Sequence, residues 1–156
     1  MPIERLTEYS SAAQGRMDMS EETAAPKGDL ILRTMAMPAD TNANGDIFGG
    51  WILSQMDIAG AIRAKEVADG RTVTVAVDGM KFLRPVKIGD VVSCYGEVKR
   101  IGTTSITLHL ETWVKPVLRL DTCQDTQLKV TEANFTFVAV DDKGEKRPVR
   151  VVDRPE

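Results

Sequence analysis

The sequence predicts an α+β domain: a five-stranded antiparallel sheet curled around one long central helix. Three observations predict it. A single run of helical length, Trp51 to Val67, is apolar almost all round. Four long segments after it alternate apolar and polar residues with a two-residue period, the mark of strands with one buried face. One shorter strand precedes the helix, and no repeat or low-complexity tract interrupts this order.

In chain order, LILRTMAM at residues 30–37 reads as a short strand stopped by Pro38. A turn-rich stretch, Asp40 to Gly50, leads into the helix. There Trp51, Ile52, Met56, Ala59, Gly60 and Ile62 form one stripe, with Leu53, Ile58 and Ala61 off it. Burial is therefore expected over most of the circumference until Arg63, Lys65 and Glu66 reach water. Asp69-Gly70 stops the helix. Strands follow at Val73 to Phe82, Asp90 to Ile101, Thr104 to Lys115 and Gln127 to Val140, separated by breakers at Pro85 to Gly89, Gly102, Pro116 and Asp141 to Gly144. Val73, Val75 and Val77 are expected to share a face, as are Ile106, Leu108 and Leu110. One helix cannot cover both edges of such a sheet, and a long bare edge strand invites pairing, so dimerisation is expected.

A length of 156 residues suits one domain. Its expected limits are residues 28–142, after a polar, net acidic and flexible N-terminal extension at 1–27 and before a C-terminal tail at 143–156. The alternative for part of the extension is a short surface helix from Leu6 to Arg16.

Composition excludes several classes of function. With 20 basic and 23 acidic side chains, the chain lacks the cations that a nucleic-acid groove needs, and its aromatics are scattered. His109 is the one histidine, so multi-histidine zinc sites and HExxH are excluded, and no metal site is expected. Any nucleophile–histidine machinery would run through that residue. Cys94 and Cys123 are too far apart for a paired CxxC site and fit free thiols in a reducing cytoplasm. The opening MPIERLTEYS has early acidic residues and no apolar core, so no secretory signal is expected there. The apolar run Ile47 to Ala64 carries Ser54, Gln55, Asp57 and Arg63, which a membrane span tolerates badly.

Chemistry concentrates in DTNANGDIFGGW, residues 40–51. A calcium loop accounts for Asp40, Asn42, Asn44 and Gly45, but Trp51 stands where the bidentate glutamate belongs. A second reading is an active site without a nucleophile. Amides at a helix start have no internal partner and carry partial positive charge, which suits an oxyanion. A nearby carboxylate, Asp46, can take a proton from water. The plainer alternative is helix capping by Asn and Asp.

The run LRTMAMPADTNANGDIFGGWILSQMDIAGAIRAKE, with GMKFLRPVKIGDVVSCYGEV and GTTSITLHLETWV, closely resembles the YciA-like acyl-CoA thioesterases of the hotdog superfamily. The resemblance spans roughly Gly28 to Val140. It implies a hotdog fold and hydrolysis of acyl-CoA to free acid and CoA, with CoA as part of the substrate and no separate cofactor. It also implies homodimers that associate further, commonly into hexamers as trimers of dimers. Carried onto this chain, the family's catalytic carboxylate falls on Asp46, its loop asparagine on Asn42 or Asn44, and its helix-start amides on Gly49 and Gly50. The turn expected to line the CoA channel falls on Gly102, Thr103, Thr104 and Ser105.

Asp57, inside the helix, is the second candidate acid, because some other hotdog enzymes place one there. Lys81, Arg84, Lys87, Lys99 and Arg100 gather at strand ends, where they can meet the phosphates of CoA or simply face water. Cys94 reads as an inert core thiol. His109, out of phase with Leu108 and Leu110, is expected to look outward. The competing functions are a non-catalytic acyl-CoA-binding regulator and a hotdog hydroxyacyl-thioester dehydratase, which needs a histidine paired with an acid.

Overall fold

The computed structural model describes residues 25–117 and 126–150. Strand β1, Asp29–Met35, is followed by a 3-10 turn at Pro38–Asp40 and by helix α1, Gly49–Ala68. Strands β2, Thr72–Phe82, β3, Val91–Ile101, β4, Ser105–Lys115, and β5, Leu128–Ala139, complete the domain. They form one antiparallel sheet in the order β1-β3-β4-β5-β2. This is the hotdog arrangement: one long helix lying in the curl of a five-stranded sheet. The Leu6 to Arg16 alternative and Cys123 lie outside the described residues.

Helix α1 stops where the sequence predicts. Asp69 takes a left-handed conformation and the Gly70 amide donates back to the Lys65 carbonyl. Its sheet-facing side is Ile52, Met56, Ala59, Gly60, Ala64 and Ala68, packed on Ile106, Leu108, Leu110, Phe135 and Phe137, all buried. Small residues dominate this stripe, so the backbone of α1 approaches the sheet closely. A Cβ on Gly60 would lie 2.6 Å from Phe137 Cζ and 3.0 Å from Leu110 Cδ1, both in fully buried side chains. Gly60→Val is therefore expected to destabilise by about 1–3 kcal/mol through overpacking. Urea unfolding at fixed protein concentration, against wild type, measures it.

Two expectations are corrected. The helix is not buried around most of its circumference within one chain: Leu53, Ile58 and Ile62 remain 36%, 48% and 40% exposed. Nor do Val73, Val75 and Val77 share a face. The β2–β5 register shifts between Thr74 and Ala76, leaving Val75 as the extra residue of a bulge. Thr74 and Val77 then stand opposite Phe137 and Phe135 on the helix side, whereas Val73 pairs with Val138. Alternation counts residues and cannot register an insertion.

Both ends of the described chain dock on the domain. The Lys27 amide donates to Glu111 Oε2 at 3.1 Å. Residues 143–150 return along the sheet: the Arg147 amide bonds Ala139, its guanidinium bonds the Ala68 carbonyl at 3.0 Å, and the Val149 amide bonds Thr103.

Candidate active site

The loop before α1 is built by its own backbone. Asn42 Oδ1 accepts the amides of Asn44, at 2.9 Å, and Asp46, at 3.1 Å, while the Asn42 amide donates to the Asp46 carbonyl. Gly45 sits at φ +81°, which only glycine adopts without strain, and so closes this tight loop. The Ile47 amide then ties the loop to the Val86 carbonyl, and the Phe48 amide bonds Asp40. The Asn42 side chain thus holds the loop together, and Asn44 lies exposed at the loop's tip.

Capping does not explain the motif. The N-cap of α1 is Phe48, the helix start has no side-chain cap, and no acid lies in the first turn. Asp46 pairs instead with the Lys87 ammonium, from the β2–β3 connection. The helix opens with Gly49 and Gly50, and a Cβ built at Gly50 would meet only open space.

Two cavities flank that start. One, of about 300 Å³, is lined by Gly50, Leu53, Ser54, Asp57, Thr74, Val77 and Phe135. In it Thr74 Oγ1 donates to Asp57 Oδ1 at 2.6 Å, so the carboxylate is oriented by the residue that the β2 bulge turns inward. The other, of about 430 Å³, contains Gly49 with Ile47, Ile52, Phe82, Leu83, Arg84, Pro85 and Val86. Asp57, Gly50, Gly49 and Arg84 are therefore brought together around the helix start. Asp46 lines neither cavity.

The remaining candidates lie elsewhere. Lys99 sits on β3 and pairs with Glu97 at 2.8 Å. Gly102, Thr103 and Thr104 form the β3–β4 turn and Ser105 opens β4; the Thr103 and Thr104 carbonyls accept the amides of Val149 and Ala139. Of the five cations expected near phosphate, Lys87 and Lys99 already hold carboxylates, and Arg84 lines the larger of these two cavities. The contribution of Thr74 is absent from the sequence reading. Its signal was indirect: Asp57 is the one acid in the apolar run Ile47 to Ala64, and a carboxylate there needs a partner.

On the other face of the sheet, His109 does not look out into solvent. Its side chain is 15% exposed and lies 3.3 Å from both Glu111 Oε1 and Glu132 Oε2. Glu111, 1% exposed, also accepts Trp113 Nε1 at 2.8 Å and the Lys27 amide. Lys129 Nζ reaches Glu132 at 2.6 Å and Glu111 at 3.5 Å. Burial pushes the Glu111 carboxyl up, but its bonds from Trp113, Lys27 and His109 and the nearby Lys129 charge outweigh this and hold it below the usual range. Lys129 is raised in turn, its burial outweighed by Glu132 and Glu111. His109, Glu111 and Glu132 are the one group among the described residues with spacing suited to a cation, and the Lys129 ammonium already bridges its two carboxylates. Cys94, buried 3.6 Å from Thr112 Oγ1, has its thiol pushed up to about 11 by burial, which fits an inert thiol.

A five-stranded sheet curled around one long helix, with a carboxylate in the cavity at the uncapped helix start, is the architecture of a hotdog domain. The thioesterase superfamily profile matches residues 44–119. The acyl-CoA thioester hydrolase YciA of Escherichia coli is 59% identical over 133 residues, which cover 85% of this chain and 99% of that protein. A hexameric thioesterase of Yersinia pestis is 58% identical, with a TM-score of 0.75, over 82% of this chain and all of that one. An acyl-CoA hydrolase of Staphylococcus aureus, solved with butyryl-CoA and CoA, is 28% identical over 80% of this chain and 73% of its own, with a TM-score of 0.68. The chain belongs to the YciA-like acyl-CoA thioester hydrolases of the thioesterase superfamily.

Proposed function

We propose that the chain hydrolyses acyl-CoA thioesters with Asp57, rather than Asp46, as general base. The observation that carries this is one cavity lined by both the Asp57 carboxylate and Gly50 at an uncapped helix start. Asp57 takes a proton from water, and the resulting hydroxide adds to the thioester carbonyl carbon. Amides at Gly49 and Gly50 hold the oxyanion. Collapse of the adduct breaks the carbon–sulfur bond, and the thiolate of CoA leaves and takes the proton from Asp57. The acyl chain follows Leu53, Val77 and Phe135, and the CoA arm follows the Arg84 cavity on the other side of the helix start.

A second line of support comes from the Staphylococcus aureus enzyme, of which an asparagine-to-alanine and an aspartate-to-alanine variant have been solved, fifteen positions apart. In this chain Asn42 and Asp57 stand fifteen apart; Asn42 and Asp46 stand four apart. The dehydratase alternative lacks its histidine here, because His109 alternates with Leu108 and Leu110 and lies across the sheet from α1.

Thiol release from acetyl- to palmitoyl-CoA, followed with a chromogenic disulfide, tests the reading. Release shows hydrolysis, and tight binding without release would make the chain a sensor.

Self-association follows from the surface. Strand β2 is a sheet edge, and Val73, Val75 and Val77 on it are 44%, 54% and 39% exposed, beside Leu53, Ile58 and Ile62 of α1. We place the seam of a homodimer there, with three dimers in a hexamer, as supported by hexameric relatives. Val75→Lys puts a like charge on both sides of a two-fold seam. Light scattering after gel filtration is expected to show dissociation to smaller species; an unchanged mass would place the seam elsewhere. A reducing cytoplasm is the compartment that suits the Cys94 thiol. No helix among the described residues is long and apolar enough to cross a membrane.

A further inference from the structure

We propose that Lys87 is a positioning residue: its ammonium holds the Asp46 carboxylate away from the start of α1 and so keeps the Gly49 and Gly50 amides open for the substrate carbonyl. The proposal rests on the reading of those amides as the oxyanion site.

Asp46 stands three residues ahead of Gly49. A short acidic side chain so close to a helix start is drawn to the free amides by hydrogen bonding and by the helix dipole. A carboxylate bound there would occupy the donors that the reaction needs. Yet α1 carries no side-chain cap, and Asp46 is found on Lys87 instead.

The two loops are built so that only the side chains have this choice. Asn42 Oδ1 pins the Asp46 amide, and the Ile47 amide is bonded to the Val86 carbonyl, next to Lys87. Lys87 is pinned in turn: its amide donates to Asp90 Oδ2 at 3.0 Å, and the Asp90 amide returns to the Lys87 carbonyl. Asp90 is 1% exposed, and its carbonyl accepts the Ala36 amide, so the root of Lys87 is fixed to the end of β1. The ammonium therefore projects from a rigid base toward a carboxylate on a rigid loop. The pair itself is partly exposed, with 44% and 31% of the two side chains accessible. Surface ion pairs of this kind add little to stability, so its effect is expected on turnover more than on folding.

A double-mutant cycle on thiol release reads this directly. Lys87→Met is expected to lower kcat about tenfold or more with KM within about twofold, because a carboxylate then competes for the oxyanion donors. Asp46→Ala, which removes the competitor, is expected to keep kcat within about threefold of wild type, and the double variant to recover to that level. Lys87→Arg is expected to retain most activity. A double variant no faster than Lys87→Met would overturn the proposal, as would a raised KM at unchanged kcat, which would make Lys87 an anchor for substrate phosphate. Loss of activity in Asp46→Ala matching that of Asp57→Ala would also overturn it. The crystal structure of Lys87→Met provides a readout independent of turnover: Asp46 is expected on the Gly49 or Gly50 amide. A carboxylate left in solvent would overturn the proposal whether or not the chain hydrolyses acyl-CoA, whereas absence of thiol release from wild type overturns the functional reading alone.

Discussion

Asp57→Ala is expected to cut kcat on a short acyl-CoA by about 10² or more, the usual loss when a positioned general base is removed. Asp57→Asn should fall nearly as far, because it keeps the Thr74 contact and the size of the side chain but cannot accept a proton. Neither variant should unfold the domain, since Asp57 lies at a cavity wall rather than in the packed stripe of α1. The helix-start amides would remain in both, so activity above the uncatalysed rate should persist. Thr74→Val is a milder probe of the same arrangement: it removes the hydroxyl that orients the carboxylate.

Glu111→Ala is expected to have the largest effect on stability, about 3–5 kcal/mol, because it strands partners that the buried carboxylate satisfies. Trp113 Nε1, His109 and Lys129 would lose an acceptor at the sheet surface, and Lys129 would keep a charge with only Glu132 to meet it. The pH dependence has a definite sign. The folded carboxyl is held below its unfolded value, so the unfolded chain binds its proton first as acid is added. The network therefore contributes fully above about pH 5 and is lost as pH falls below about 4. Glu111→Gln should flatten that part of the acid-unfolding curve. Equilibrium unfolding from pH 7 to pH 3 at fixed protein concentration measures both effects.

Much of the architecture was legible because it is local. The two-residue period located the four strands after the helix to within a residue, Pro38 marked the end of the first strand to within two, and Asp69-Gly70 marked the end of the helix. What escaped depends on pairing. The bulge at Val75 exists only in the β2–β5 register, and it decides that Thr74 and Val77, not Val73, face the helix. His109 was correctly placed out of phase with the core leucines. That phase could not show that Trp113, Glu111, Lys129 and the Lys27 backbone would enclose its side chain on the far face of the sheet.

The site was half legible for the same reason. The NANGD loop drew attention through its density of Asn, Asp and Gly, and it does build the open helix start. Its most conspicuous acid, Asp46, is occupied by Lys87, a partner 41 residues away. Asp57 carries no local motif at all. It shares a cavity with Gly50, two turns earlier, and accepts a hydrogen bond from Thr74 across a bulged strand. The exposed apolar residues of α1 and β2 belong to the same class: the sequence marks them for burial, and a single chain leaves them uncovered.

The measurement closest to the central claim is thiol release from one acyl-CoA by wild type, Asp57→Ala and Asp46→Ala side by side, each confirmed folded and at the wild-type oligomeric mass. The account predicts release by wild type, collapse in Asp57→Ala and turnover within about threefold of wild type in Asp46→Ala. The reverse pattern, with Asp46→Ala inactive and Asp57→Ala turning over, would contradict it and return the base to the loop before the helix.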